Sequence, residues 1–308
     1  MDILYKPAAS YSAIFGLAVS QVNTGELENK GWEFEIGYQN HYKKLQYHVN
    51  GNLSIIKNKV LTLGMGNVRQ TNGMVGNGSD LFIGYPMDMF YGYKTDGVFL
   101  NDNEVASWYD QTAIAKGSRA GDLRFVDVTG DNKVTNADKV YLGSRIPKYT
   151  FGLNLGLAYS GIDFSMLIQG VAGVKGLLTS YAGLAFNQEG NIQRWQMKEN
   201  WNVQQDNRYP GYPRLEVTSG SGSPNTQLSD FWVQNASFVK VRNIQVGYTI
   251  PQNQTKKWGV SNARVYLSLD NPISIDHYKK GWDPENTKNN GTYYPVMSTY
   301  TLGLTLSF

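Results

Sequence analysis

The sequence contains no cysteine and few charged residues. The missing cysteine excludes a disulfide framework and any thiol chemistry. Charged residues make up 17% of the chain, whereas soluble domains usually carry roughly 25%, and the formal net charge is only +3. No cluster of lysine and arginine is present that could follow a phosphate backbone. The sequence therefore predicts no nucleic-acid partner.

Long apolar runs and catalytic residue sets are also missing. No window approaches about 18 consecutive apolar residues, which excludes helical membrane spans. The three histidines, His41, His48 and His277, are scattered and form no His-Glu-x-x-His motif. The glycine-rich stretch 73–78 lacks the lysine and hydroxyl residue of a phosphate-binding loop. We therefore predict that the chain is not an enzyme and that it needs no cofactor, with the exception of a calcium ion considered below.

Apolar and polar residues alternate with a period of two, which places successive side chains on opposite faces of a strand. The segment 149–160 alternates in this way and continues across Ser160-Gly161 into 162–169, which predicts a hairpin. Only Leu167 interrupts its polar face. The C-terminal segment alternates through the apolar residues Tyr300, Leu302, Leu304, Leu306 and Phe308.

Further alternating segments bring the total to about eight strands: 32–39, 45–55, 243–250, 263–270 and, less clearly, 91–100. Several of them are about 10 residues long and begin or end with an aromatic residue, as expected of tilted membrane strands. The high content of glycine (33 residues) and aromatic side chains (13%) is typical of an all-β protein with tight turns. A soluble β-sandwich would show the same alternation, so the strands alone leave both architectures open.

The connections between these strands differ greatly in length. Short ones lie near 39–44, 160–161 and 251–262, whereas long ones lie near 57–85, 172–231 and 271–298. Outer-membrane barrels combine short periplasmic turns with long external loops. A soluble sandwich rarely needs a connection of about 60 residues without strands of its own. This asymmetry favours an all-β, transmembrane antiparallel β-barrel, and the alternative is a soluble β-rich carbohydrate-binding or dockerin-like module.

The segment 127–138 has the spacing of an EF-hand or dockerin-type calcium loop. Its oxygen ligands would come from Asp127, Thr129, Asp131, Lys133 (backbone), Thr135 and Asp138. Two positions depart from the pattern, because Asn132 replaces the usual glycine and Asp138 replaces the usual bidentate glutamate. A solvated turn that binds nothing tightly is the alternative, and calcium would stabilise the loop rather than perform chemistry.

Aromatic residues also gather in or beside the longest connection. They are Trp195, Trp201, Tyr209, Tyr212 and Trp232. Aromatic planes with flanking hydrogen-bonding groups suit sugars or extended peptides, which makes these residues candidates for substrate binding. The alternative is that they pack the loop against itself or against a partner protein.

Several ordered blocks resemble the C-terminal region of SusC/RagA-type TonB-dependent transporters of Bacteroidetes. The blocks are 25–31, 84–87, 90–99, 121–131, 142–147, 151–155, 169–170, 238–248, 270–272, 281–285 and the terminal aromatic strand. Each block is weak alone, but their order and spacing cover nearly the whole chain. The resemblance implies an outer-membrane barrel of about 22 strands. It also implies an N-terminal plug, a SusD-like surface lipoprotein as partner, and import of glycans or peptides with energy relayed by TonB.

The chain departs from that family pattern at its beginning. It shows no signal peptide, no TonB box and no plug domain, so we expect it to be a truncated product or an excerpt. The contact with TonB would then be made through the missing N-terminal regions, while the strands here would face outer-membrane lipid. By the same resemblance, the alternating strand that ends at Phe308 would serve as the signal for barrel assembly.

Overall fold

The structure, a computed structural model, describes residues 2–5, 22–64, 67–217, 222–288 and 292–308. Parts of all three predicted long loops (65–66, 218–221 and 289–291) lie outside these ranges. Strands predominate over helices, as predicted. Within the described ranges, no helix is both long and apolar enough to cross a membrane.

In chain order the strands are β1 (Asp2–Tyr5), β2 (Val22–Tyr42), β3 (Leu45–Thr62), β4 (Val68–Arg69), β5 (Val75–Gly76), β6 (Met89–Gly92), β7 (Thr95–Val98), β8 (Leu123–Phe125), β9 (Val140–Ser144), β10 (Tyr149–Tyr159), β11 (Ile162–Ala172), β12 (Lys175–Leu177), β13 (Val233–Asn235), β14 (Phe238–Thr249), β15 (Asn262–Asp276) and β16 (Thr299–Ser307). The α-helices are α1 (Asp102–Ser107), α2 (Ser180–Gly183), α3 (Arg194–Glu199) and α4 (Gln252–Thr255). Short 3-10 turns lie at Asn136–Asp138, Asn187–Glu189, Pro224–Thr226 and Lys256–Trp258.

Eight strands form one antiparallel sheet, which we call the wall. Its order is β1-β2-β3-β10-β11-β14-β15-β16, and β1 and β16 are the two ends of the described sheet, so it is not closed. The seven strands from β2 to β16 form six successive pairings with long registers, three of which contain a single shift. For example, Tyr149–Tyr159 pairs residue by residue with Leu45–Ile55 on one side and with Ile162–Ala172 on the other. The wall is therefore a sheet whose strands lie beside their sequence neighbours, once the long connections are set aside.

The register brings the apolar positions of neighbouring strands into line. One row runs through Tyr38, Val49, Leu155, Met166, Ile244, Leu269 and Tyr300, and each member pairs directly with the next. Because side chains alternate along every strand, the apolar residues share one face of the wall and the polar residues share the other. The alternation predicted from the sequence is confirmed across seven strands.

The polar face packs large side chains over glycine. Tyr266 on β15 lies beside Gly303 on β16, and a Cβ at Gly303 would come within 2.2 Å of the Tyr266 ring. Gly156 on β10 faces His48 on β3 in the same way, at 2.0 Å from the imidazole. The glycines of the alternating segments therefore make room for the ring of the neighbouring strand.

All three long connections leave and re-enter the wall at the same end. They join β3 to β10, β11 to β14 and β15 to β16, and each pair of strands is adjacent in the sheet. The short turns after β2, β10 and β14 lie at the opposite end. This is the asymmetry expected from the loop lengths, although β3 continues to Thr62 and so occupies the start of the predicted loop 57–85.

The long connections carry their own secondary structure and form what we call the loop layer. Four two-stranded ribbons pair β4 with β5, β6 with β9, β7 with β8 and β12 with β13. The largest apolar cluster among the described residues lies here, around Leu178, Ala185, Tyr212 and Trp232. A second cluster is built by Tyr93, Val98, Leu123, Phe125 and Val134. A smaller one joins Leu27 of β2 and Val60 of β3 to Leu63, where the wall meets the loop layer. The two largest clusters of the described residues are therefore in the loop layer, whereas many large apolar side chains of the wall stay exposed.

One predicted strand lies elsewhere than expected. The segment 91–100 contributes to β6 and β7, which form short ribbons in the loop layer rather than a strand of the wall. All four residues of β6 are buried, so its aromatic side chains pack inside the loop layer instead of alternating between two phases. The eighth strand of the wall is β1, a segment that the sequence analysis did not identify.

Candidate functional site

The apolar face of the wall carries many large side chains that are exposed. Trp32, Ile36 and Leu302 are 72%, 75% and 77% exposed, although each belongs to a well-paired strand. Soluble monomers rarely expose a contiguous apolar patch larger than a few hundred Å². A face that spans seven strands requires an apolar phase or a partner to cover it.

Aromatic residues border this face at both ends of the strands. Trp32 and Tyr149 lie at the end that carries the loop layer, while Tyr42, Tyr159 and Tyr248 lie at the end with the short turns. From Tyr149 to Tyr159 the strand rises about 33 Å, at about 3.3 Å per residue. A tilt of roughly 40° reduces this height to about 25 Å, which is the height of the apolar band of outer-membrane barrels.

The polar face carries charged groups that bond across strands. Arg264 on β15 donates two hydrogen bonds to Asp163 on β11, at 2.5 and 3.0 Å, and a third to Gln245 on β14 at 3.1 Å. Gly247 lies between them, and a Cβ at this position would touch both the guanidinium and the carboxylate. Such a face is suited to water rather than lipid, because its polar groups remain half-exposed.

A second cluster joins the wall to the last connection, and we call it the β14 cluster. Lys240 lies on β14 with its side chain only 7% exposed, and its ammonium contacts Asp283 at 2.8 Å and Glu285 at 3.0 Å. Arg242 pairs with Glu285 as well and donates to Gln169 of β11 at 2.9 Å. The connection between β15 and β16 is thereby fixed over the polar face.

The residue patterns of the sequence did not indicate the β14 cluster as a site, although its residues lie in two of the ordered blocks that resemble the transporter family. Lys240 and Arg242 belong to the block 238–248, and Asp283 and Glu285 belong to the block 281–285. In the sequence, 43 residues separate Lys240 from Asp283, so no local pattern pairs them. In a similar way, Arg145 of the block 142–147 contacts Asp88, which lies between the blocks 84–87 and 90–99, at 2.8 Å.

The loop layer contains a network of charges that links its first two connections. Glu104 accepts two hydrogen bonds from Arg208, at 2.6 and 3.1 Å, and one from the backbone N–H of Leu100 at 3.0 Å. Arg124 pairs with Asp96 and stacks on the ring of Trp108, 3.9 Å from its centroid. The connection β3–β10 is therefore tied to the connection β11–β14.

This network predicts an acid-sensitive loop layer. The hydrogen bonds from Arg208 hold the pKa of the Glu104 carboxyl below its ordinary value of 4.5. In the unfolded chain the Glu104 carboxyl binds a proton more readily than in the folded chain. The stabilisation by ionised Glu104 is therefore present above about pH 4.5 and is lost as the pH falls through the pKa of the folded state. We expect Glu104→Gln to lower the thermal unfolding temperature at pH 7, and we expect the difference from wild type to shrink below about pH 4.5. A difference in unfolding temperature between Glu104→Gln and wild type that stays constant below about pH 4.5 would contradict this role of Glu104.

The structure separates the five predicted substrate-binding aromatics into two groups. Tyr212 and Trp232 are buried in the largest apolar cluster, where Trp195 packs edge-on against Tyr212. The Tyr212 hydroxyl accepts from the backbone N–H of Ala185 at 2.8 Å, and burial raises the pKa of Tyr212 to about 12. Rings held in this way have no free face for a ligand, so they pack the loop layer on itself.

The other members of that set are more accessible. Tyr209 is 68% exposed and donates to Asp96 at 2.9 Å. Trp201 is partly exposed and packs against Gly121, and Trp195 is partly exposed with the ammonium of Lys279 at 3.8 Å from its ring centroid. Substrate binding by these three residues stays a prediction.

A cavity that was not predicted lies beside α2. It has a volume of about 410 Å³ and is lined by Tyr181, Leu184, Asn187, Gln193 and Trp282, among others. Four neighbouring residues that are not glycine adopt positive φ, namely Ser180, Phe186, Gln188 and Glu189. Each such residue costs about 1–3 kcal/mol, and strain of this kind is often concentrated at ligand sites. The aromatic and amide groups of this cavity could hold a sugar or a peptide.

The calcium-like loop is held by hydrogen bonds within the protein. Asp138 is fully buried and accepts from the backbone N–H groups of Val128 and Thr129, both at 2.9 Å, and of Thr135 at 2.7 Å. Asp127 accepts from Asn132, which takes the left-handed conformation expected of that position.

These bonds bear on the predicted metal ligands. In the described part of the chain, no three histidine or carboxylate side chains converge into a metal-binding group. The carboxylates of Asp127, Asp131 and Asp138 are instead engaged by backbone N–H groups. Calcium binding through this loop, including Thr129, Lys133 and Thr135, stays a prediction.

The predicted assembly signal lies on the last strand of the wall. Tyr300, Leu302, Leu304 and Leu306 all face the exposed apolar side of β16, and Phe308 follows it with 89% of its surface exposed. These positions pair with apolar residues of β15 across the register. Recognition of this strand during assembly stays a prediction.

Comparisons with known proteins agree with this architecture. No family model matches the chain. TonB-dependent receptor P3 of Formosa agariphila is 28% identical over 340 residues, which cover 100% of this chain and 31% of the relative. TonB-dependent receptor SusC of Bacteroides thetaiotaomicron is 25% identical over 321 residues, which cover 100% of this chain and 29% of the relative. The solved structure of the RagAB peptide transporter superposes with a TM-score of 0.71 at 20% identity and covers 99% of this chain and 32% of that chain.

The wall and its loop layer thus share the fold of part of the RagAB structure. The resemblance to SusC/RagA-type TonB-dependent transporters, predicted from the ordered blocks, is confirmed by these relatives. The chain spans about 31% of the length of the curated relative P3, so it corresponds to one part of such a receptor.

Proposed function

We propose that this chain forms part of the wall of an outer-membrane TonB-dependent transporter that imports nutrients. The observation that supports the proposal best is the exposed apolar face, bordered by aromatic residues at both ends and spanning seven paired strands. Lipid can cover such a face, because the backbone N–H and C=O groups of the paired strands are already hydrogen-bonded to one another within the sheet. The polar face would then line the interior of the barrel.

The position of the long connections supports one orientation of the wall in the membrane. In outer-membrane barrels the longer loops face the cell exterior and the short turns face the periplasm. The loop layer would therefore lie outside the cell, and the turns after β2, β10 and β14 would lie in the periplasm. The complete barrel would have about 22 strands, of which this chain supplies eight.

The substrate would be a glycan or a peptide. The related RagAB complex is a peptide transporter, and the cavity lined by Tyr181, Asn187 and Trp282 offers aromatic planes beside amide groups. The exposed Tyr209 and the partly exposed Trp195 and Trp201 would add contacts from the loop layer. A SusD-like surface lipoprotein would cover these groups from outside, and TonB would supply energy through regions of the protein other than the wall.

The orientation can be tested with single cysteines, because the chain has none of its own. We expect Val203→Cys, in the loop layer, to react with a membrane-impermeant maleimide on intact cells that produce the full-length protein. Asn253→Cys, in the turn after β14, should react only after the outer membrane is permeabilised. Both residues are exposed, so a difference in reactivity reports their side of the membrane. Equal labelling of the two variants on intact cells, or recovery of the protein from the soluble fraction, would refute the proposal and favour a soluble module.

A further inference from the structure

A cavity of the described structure lies where the wall meets the loop layer. Its volume is about 630 Å³, and it is bordered by β2, β3, the start of β10 and the segments 84–86 and 141–148. Apolar and aromatic side chains line much of it, among them Trp32, Ile55, Tyr85 and Tyr149. Lys30, Lys57, Lys59 and Lys148 line it as well. The cavity therefore combines an apolar surface with a group of ammonium ions.

The register places two of these lysines on the lipid side of the wall. Lys30 lies two residues before Trp32 on β2, and Lys57 lies two residues after Ile55 on β3. Trp32 pairs with Ile55 and Lys30 pairs with Lys57, without a bulge between the two pairs. Because the side chains alternate, both lysines project from the same face as Trp32, one step closer to the loop layer. They lie just above the aromatic border of the apolar face.

The paired lysines create an excess of positive charge at this border. Like charges directly opposite each other on neighbouring strands are destabilising. Glu28 compensates Lys30 at 2.5 Å, but among the described residues Lys57 and Lys148 have no ion-pairing carboxylate. A bound anion would remove the remaining repulsion, and none of the residues that line the cavity is acidic.

We propose that this cavity binds a phosphate-bearing lipid of the surrounding leaflet, an inference that depends on the proposed membrane-spanning wall. The phosphate would be held by Lys30 and Lys57, since basic pockets near the bilayer surface bind anionic headgroups. An acyl chain would continue along Trp32 and Ile55 onto the apolar face. A soluble anion would contact only the lysines, whereas a lipid would contact the lysines through its headgroup and the apolar surface through its acyl chain. The presence of both kinds of surface in one cavity favours the lipid.

Binding can be measured by native mass spectrometry of the delipidated full-length protein in detergent, titrated with phosphatidylglycerol. We expect the double variant Lys30→Gln/Lys57→Gln to bind phosphatidylglycerol at least about tenfold more weakly than wild type. Each substitution removes the electrostatic attraction of one lysine for the anionic headgroup. Lys30→Arg/Lys57→Arg should retain binding, which separates the loss of charge from a folding defect. The matched control Lys256→Gln/Lys257→Gln removes two exposed lysines at the opposite end of the wall and should bind like wild type.

Two results would overturn the inference. One is equal binding by the test and control variants, which would place the lipid elsewhere on the wall. The other is displacement of phosphatidylglycerol by millimolar inorganic phosphate, which would show that the cavity recognises the anion alone. Either result leaves the cysteine-labelling pattern unchanged, so a failure of the lipid site is distinguishable from a failure of the membrane orientation.

Discussion

Replacing Leu155 with arginine should destabilise the folded protein in a membrane by about 2–4 kcal/mol, the cost of a cationic side chain on the lipid face of a barrel near the bilayer centre. Leu155 lies midway along β10, between Val49 and Met166 of the neighbouring strands. The arginine would have to leave its hydration shell or extend toward an interface about 10 Å or more away. The free energy of unfolding of the full-length protein, measured by guanidinium titration in phospholipid vesicles, reports this loss.

The matched control changes the next residue along the same strand. Asn154 is exposed on the polar face, and Asn154→Arg should alter the free energy of unfolding by about 0.5 kcal/mol or less, as substitutions at exposed positions usually do. Equal effects of the two arginines would mean that both faces of β10 are in the same solvent. The assignment of one face to lipid would then be wrong.

Replacing Lys240 with methionine should release the last connection from the wall. The substitution leaves the carboxylate of Asp283, whose side chain is only 12% exposed, without its ammonium partner, whereas Glu285 keeps its ion pair with Arg242. Removing one member of a buried ion pair costs about 3–5 kcal/mol, because the remaining charge is uncompensated. We expect faster hydrogen exchange and faster proteolysis throughout the segment 277–288 in the full-length protein.

Two further variants distinguish a specific effect of this ion pair from general destabilisation. Adding Asp283→Asn to Lys240→Met should restore part of the protection, since the amide leaves less uncompensated charge. Lys288→Met removes a lysine whose side chain is 72% exposed and 3.4 Å from Asp88, and it should cost less than about 1 kcal/mol. If Lys288→Met and Lys240→Met open the segment equally, the β14 cluster does not fix it.

The wall could be predicted from the sequence because, within each strand, the order of apolar and polar residues follows the environment of the two faces. Along β10 the alternation of apolar and polar residues is complete, and it depends only on the two phases that the strand separates. The same pattern predicted β11 and β16 with bounds that differ from the structure by a few residues at most. β1 was not recognised, because four residues are too few to establish a period of two.

The loop layer could not be predicted in the same way. Its strands are short and buried on both faces, as in β6, so their side chains do not alternate. Its polar contacts join distant positions; Asn225, for example, donates to Asp122 at 2.8 Å across 103 residues. Burial raises the pKa of that Asp122 carboxyl despite its ion pair with Arg214, a property that no local pattern reveals.

The candidate sites show the same division. The aromatic residues of the longest loop were identifiable by type, but only the structure separates the buried Tyr212 and Trp232 from the exposed Tyr209. The spacing of the loop 127–138 predicted ligand oxygens, whereas the structure shows backbone N–H groups that already engage Asp138. Residue type and spacing thus indicated which groups could bind, and the long-range packing determined which of them remain free.

Each long connection leaves one strand of the wall and returns on the strand beside it. An insertion or a deletion in such a connection does not shift the register of any strand pair. By loop-closure entropy, doubling its length costs only about 0.6 kcal/mol. The loop layer can therefore change in length and sequence while the wall is inherited unchanged. In the proposed transporter, the surface that meets the substrate would then diverge without any change to the membrane-spanning strands.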